Sequence, residues 1–220
     1  MSFNRDIQLD PNRVQTRSGG GRGAVIGGGS ILTVIAVVLI SQLTGVDLTS
    51  MLGAQQQTGT TTSTASSIDT SVCTSGDSAN KYTQCRMVAT AESLDAVWTE
   101  QLPAQAGLKY AKPEFVLWDG SQISSACGNA SSAVGPFYCS GDRTVYLDMS
   151  FFSEMERSLG AADTPLAEEY IVAHEFGHHI QHLTGQMAKA DRSGSGATSD
   201  SVRLELQADC YAGIWVNHAS

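Results

Sequence analysis

Positive charge is scarce in this chain of 220 residues: 13 Lys and Arg stand against 22 Asp and Glu, a formal net charge of −9 at neutral pH. So acidic a chain lacks the basic surface that nucleic acid or an anionic lipid headgroup requires, and neither is expected as a partner. Cysteine is missing from the first 72 residues, and all five cysteines follow that point. Charge of either sign is missing from Ala24 to Leu43. From Gly53 to Ser71 there is no aromatic residue, and Asp69 is the one charge.

These absences divide the chain. Residues 1–23 are polar and glycine-rich, with four arginines against two aspartates and no apolar periodicity, and read as a disordered tail. Residues 24–43 have the length that spans a bilayer core. Polar low-complexity sequence on both sides argues against a buried core helix. No Ala-x-Ala site follows the apolar run, which argues against a cleaved leader. The segment reads as a single-pass signal anchor in the cell membrane. Arginines before it, and none soon after, place the amino terminus in the cytoplasm and the remainder outside. Residues 44–71 read as a flexible Gln/Thr/Ser-rich tether, and residues 72–220 as the globular domain.

Outside the cytoplasm cysteines pair. Cys73 with Cys85 and Cys127 with Cys139 are the expected local disulfides, each worth about 3 kcal/mol in the chain-entropy picture. Four cysteines allow two other pairings. A four-thiolate metal site is disfavoured by the wide spacings, and Cys210 is left without a partner.

What is present centres on Ala173-His174-Glu175-Phe176-Gly177-His178-His179. Thr164 and Pro165 form a helix start and Gly185 a stop. Between them Val172, Phe176, Ile180 and Leu183 share one side. His174 and His178, four residues apart, project together from another, so two imidazoles can share one zinc ion. Glu175 lies about 100° round the helix, suited to a general base acting on a water held by the metal. Downstream, Val202 to Val216 has helical patterning, with Asp200 or Ser201 as its cap. Glu205 is the expected third ligand. Asp209, one turn on, is placed to accept the second ring N–H of a ligating histidine. Three protein ligands leave one position open, the mark of catalytic rather than structural zinc. The alternative third ligand of His-Glu-x-x-His-x-x-Gly-x-x-His fails, because Gln181 and Thr184 replace the glycine and the last histidine. Gln181 and His182 are expected to face or border the cleft, and with His179 to be hydrogen-bonded beside the ligands or exposed to solvent rather than to be ligands.

The remaining pattern is mixed. Gln84 to Gln101 reads as a helix with Met87, Val88, Ala91, Leu94, Val97 and Trp98 on its apolar face. Phe115 to Trp118 and Thr144 to Asp148 read as strands. The second, directly before the helical region, is the expected edge on which an extended peptide substrate would lie.

Taken together, Gly135-Pro136-Phe137-Tyr138-Cys139, Val145-Tyr146-Leu147-Asp148, His174-Glu175-Phe176-Gly177-His178-His179-Ile180-Gln181 and Glu205-Leu206-Gln207-Ala208-Asp209-Cys210 resemble the bacterial, membrane-anchored, YpfJ-like "putative neutral zinc metallopeptidase" family. The resemblance implies an α+β, zincin-like peptidase domain of gluzincin type. It assigns zinc to His174, His178 and Glu205, catalysis to Glu175, and a peptide or protein as substrate. Family members usually continue for several tens of residues past the Trp215 region. The chain is therefore expected to be carboxy-terminally truncated, without the part that often steadies the oxyanion. Two functions follow: a membrane-tethered zinc peptidase, or an inactive binding module that keeps the fold.

Overall fold

The computed structural model describes residues 2–19, 68–120, 122–159, 164–191 and 193–219. In chain order its strands are β1 (Gln15–Gly19), β2 (Glu114–Gly120), β3 (Gln122–Ser125), β4 (Gly128–Ser131), β5 (Phe137–Cys139) and β6 (Thr144–Asp148). Its helices are α1 (Gly76–Lys81), α2 (Thr83–Ala106), α3 (Phe151–Leu159), α4 (Pro165–Leu183), α5 (Gln186–Lys189) and α6 (Asp200–His218). The class is mixed α+β, as expected.

Local chemistry sets the helix ends. Ser75 and Ser78 close a reciprocal capping box at the start of α1. Helix α2 exceeds the expected Gln84–Gln101 at both ends and stops at Gly107, whose φ of 65° suits a residue without a Cβ. Thr164 caps α4 as expected, its side chain accepting from the Ala167 N–H at 3.2 Å. Helix α6 is capped by Ser199 rather than Asp200 or Ser201, because the Ser199 hydroxyl is the one that accepts the Val202 N–H.

The main sheet has the order β1-β2-β6-β5, parallel except for β5, and β3–β4 is a separate hairpin. Side chains alternate between two faces. Phe115, Leu117, Val145 and Leu147 join the core with Leu94 of α2, Phe176 of α4 and Trp215 of α6. Val116, Trp118 and Tyr146 turn the other way, into a cluster with Ile123, Ala130 and Cys139. Burial on both faces accounts for the continuous apolar run in β2. Both expected disulfides form: Cys73–Cys85 ties the start of the domain to α2, and Cys127–Cys139 holds the end of β5. Cys210 is free and exposed.

Two expectations are corrected. Residues 2–19 are not a disordered tail. Asp10 caps a single 3-10 turn at Pro11–Arg13. Leu9 and Val14 are buried in the core, and β1 pairs in parallel with β2 from Gln15↔Val116 to Gly19↔Gly120. The ordering force is long-range: the Arg13 guanidinium meets the Asp95 carboxylate at 2.6 and 3.2 Å, and Asn80 exchanges two 2.8 Å bonds with the backbone of Phe3. Nor is β6 an edge. It is hydrogen-bonded to β2 on one side and β5 on the other, so β5 is the edge next to it.

The expected span at residues 24–43 and tether residues 44–67 lie outside the described residues. Among the described residues, no helix is long and apolar enough to cross a membrane. The β1–β2 pairing does constrain any such span. Strands of one sheet occupy one side of a membrane, so a single crossing between Gly19 and Ile68 would part β1 from β2. The described residues on either side of the expected span, up to Gly19 and from Ile68, belong to one folded unit.

Candidate metal centre

Helices α4 and α6 meet where Gly177 faces Ala208. A Cβ on Gly177 would lie 2.8 Å from the Ala208 carbonyl oxygen, so only glycine lets the two backbones come this close. The contact brings one turn of α4, with His174 and His178, against the turn of α6 that carries Glu205 and Asp209. His174 Nε2 lies 3.2 Å and His178 Nε2 3.5 Å from the same Glu205 oxygen, Oε2. The three donor atoms all fall within 4.8 Å of one another.

The donor set fits zinc. Ligands tetrahedrally placed at zinc bond lengths sit about 3.3 Å apart, close to the separations of the two histidine nitrogens from Glu205. Glu205 is almost completely buried, and its other oxygen, Oε1, has no hydrogen-bond partner among the described residues, an arrangement that costs free energy unless a cation completes it. The protonation energetics agree. Burial alone would raise the Glu205 carboxyl, but the bonds from His174 and His178 hold it at about 2. Burial opposes charge on His174, yet its bonds to Asp209 and Glu205 carry it up to about 10. His178 is raised in the same way, against burial, by Glu205 and Glu175. A pocket that draws positive charge this strongly is one a divalent cation can satisfy.

Around the donors each ring is oriented. Asp209 Oδ1 lies 2.8 Å from His174 Nδ1, leaving Nε2 to face Glu205, as expected from the sequence. Asp209 is itself held by the Tyr170 hydroxyl at 3.2 Å. Burial and Asp209 push that hydroxyl up to about 12, so it remains a donor. Glu175 is buried beside the three donors. Burial raises Glu175 above the usual carboxylate range, with His178, His174 and, as the smallest influence, the backbone N–H of Tyr138 acting to lower its carboxyl.

The other histidines of the motif stay out of the centre. His179 bonds the Tyr138 hydroxyl at 3.0 Å and the Ala111 carbonyl at 2.6 Å, and His182 stacks against His179. Sequence reasoning left Tyr138, Tyr170 and the partner of His178 without a role. Tyr138 comes from a distant strand that no spacing rule marks, whereas Tyr170 lies four residues before His174 on α4 and so shares the face of His174 and His178. The third is Gln181, fully buried with its Oε1 2.9 Å from His178 Nδ1, rather than facing an open cleft.

A family model described as "Putative neutral zinc metallopeptidase" matches residues 6–220. An uncharacterized protein of Mycobacterium tuberculosis H37Rv is 46% identical over 180 residues, 82% of this chain and 59% of that protein. The uncharacterized protein YpfJ of Escherichia coli K12 is 38% identical over 196 residues, covering 86% of this chain and 62% of YpfJ. The chain thus spans about three-fifths of the length of the curated relatives it matches. No solved structure matches it significantly.

Proposed function

The chain belongs to the family of putative neutral zinc metallopeptidases, and from that premise we propose that it is a zinc-dependent peptidase of gluzincin type, hydrolysing peptide bonds at the α4–α6 centre. The observation that carries the reading is the convergence of His174 Nε2, His178 Nε2 and the otherwise orphaned carboxylate of Glu205 on one point, with Glu175 beside them. Zinc bound there would polarise the scissile carbonyl and make a water nucleophilic near neutral pH. The chain's own groups do the rest. His174, His178 and Glu205 hold the ion. Glu175 takes the proton of the attacking water and passes it to the leaving amine. Its buried, raised carboxyl is suited to that two-way traffic.

Substrate lies, in this reading, along β5. Among the described residues that strand is paired on one side only, and the influence of the Tyr138 N–H on the Glu175 carboxyl means that its outer side is turned towards the centre. In an antiparallel ladder the N–H and C=O of one residue point the same way. The Tyr138 carbonyl is therefore turned towards the centre and can accept from an extended peptide. The two disulfides favour an oxidising compartment outside the cytoplasm. We keep residues 24–43 as the membrane contact, with β1 and the metal centre on the same side.

The test is hydrolysis of an unstructured peptide by the zinc-loaded chain, beside Glu175→Gln. The variant should lose at least about a thousandfold in kcat, the upper part of the range for a lost acid–base group, while binding one zinc as before. N-methylation of the peptide should raise KM at alternate residues. Turnover that survives Glu175→Gln would overturn the mechanism. Zinc binding with no turnover in the unaltered chain would instead favour the inactive binding module.

A further inference from the structure

We propose that Gln181 is a positioning residue of the metal centre: it fixes which nitrogen His178 offers to the ion and fastens that ring to the helix carrying Glu205. The inference rests on the zinc reading above but stands on its own geometry.

Gln181 lies three residues after His178 on α4 and is fully buried. Its amide makes two bonds: Nε2 donates to the Leu204 carbonyl at 2.5 Å, and Oε1 lies 2.9 Å from His178 Nδ1. The orientation is forced. A backbone carbonyl only accepts, so the amide nitrogen must face Leu204 and the oxygen must face His178. That oxygen in turn can only accept, so Nδ1 of His178 carries the proton. Nε2, which faces Glu205, is then the nitrogen that can give up its proton and offer a lone pair to the ion.

The second bond adds a mechanical link. Leu204 is the residue before Glu205, so the path His178–Gln181–Leu204 ties a donor on α4 to the backbone that presents the donor on α6. His174 has a counterpart in Asp209, also on α6. The two rings are thus oriented by different chemistry, one by a half-exposed carboxylate and the other by a buried neutral amide. A second carboxylate in the closed position beside Leu204 would set a buried anion against a carbonyl. Glutamine meets both a donor and an acceptor without adding charge.

The test compares the unaltered chain with Gln181→Met, which keeps volume and removes both bonds, and Gln181→Glu, which keeps an acceptor for His178. Zinc affinity is measured by competition with a chelator, and the His178 ring N–H by ¹⁵N-resolved NMR on metal-free and zinc-loaded protein. Gln181→Met should bind zinc about 10–100-fold more weakly and lose the hydrogen-bonded Nδ1–H signal. Gln181→Glu should retain that signal but, having lost the bond to Leu204, bind zinc with an affinity between those of Gln181→Met and the unaltered chain. Zinc affinity within about twofold of the unaltered chain in folded Gln181→Met would overturn the proposal. An unprotonated Nδ1 in the unaltered chain would overturn it too, even if Gln181→Met does not fold. If the unaltered chain binds no zinc, the peptidase reading fails, and the Nδ1–H signal still decides the role of Gln181.

Discussion

Asp148, at the end of β6, carries a burial cost that the metal centre does not use. One carboxylate oxygen accepts the Ser150 N–H at 2.9 Å, while Oδ2 is buried without a partner among the described residues, as is Oδ1 of Asp119. Burial, with a smaller contribution from the Asp119 charge, holds the Asp148 carboxyl above its ordinary value. The sign follows from linkage: above the ordinary value the unfolded chain has released this proton and the folded chain still holds it. Stability therefore falls as pH rises from the ordinary value to the folded one, and stays lowered beyond it. Asparagine keeps the acceptor for Ser150 and replaces the orphaned oxygen with a donor. Asp148→Asn should stabilise the fold at pH 7 by about 1 kcal/mol, or roughly 2–4 °C in Tm, with the gain shrinking towards pH 4. Thermal unfolding at the two pH values checks this, and a gain that does not depend on pH would contradict it.

At the scale of elements, the site is an agreement between two helices, and that part was legible. His174 and His178 share a face because they are four apart, as are Glu205 and Asp209; the cap of α4 is readable, and that of α6 lies one residue before the expected Asp200. How closely the helices approach was less legible, because it depends on Gly177 meeting the backbone of Ala208. Gly177→Ala should drive α4 and α6 apart by a few tenths of an ångström or more. Overpacking of this kind costs about 1–3 kcal/mol, so the metal-free Tm should drop. Zinc binding should weaken as well, because His174 and His178 move relative to Glu205. A variant with a lower Tm but unchanged zinc affinity would show that the close contact serves packing alone. Sheet order lay beyond the sequence for a different reason. The alternation in Thr144 to Asp148 says which side chains share a face, not which strands lie alongside, so β6 read as an edge when β5 holds that place.

The amino-terminal segment changes the account of the whole molecule. Its glycines and arginines read as a solvated tail, because nothing local in residues 2–19 announces a partner some 80 residues away. In the fold Arg13 pairs with the buried Asp95, which also accepts from the Tyr110 hydroxyl, and the guanidinium lies over the ring of Phe176 inside the His-Glu-x-x-His turn. The segment thus buttresses the metal helix from behind, and β1 completes the sheet on the side away from β5. Strand β1 and the metal domain share one sheet and so belong to one folded unit. Ser18 in β1 and the free Cys210 in α6 are both exposed, while the other four cysteines are bonded. In intact cells, a membrane-impermeant maleimide should therefore treat Cys210 of the unaltered chain and the new thiol of Ser18→Cys/Cys210→Ser alike. Labelling of both places the centre outside, as the disulfides favour. Protection of both, relieved on lysis, places it inside and removes the extracytoplasmic part of the proposal while keeping the shared side. One thiol labelled and the other protected would mean that the chain crosses once, and that β1 cannot pair with β2 in the cell.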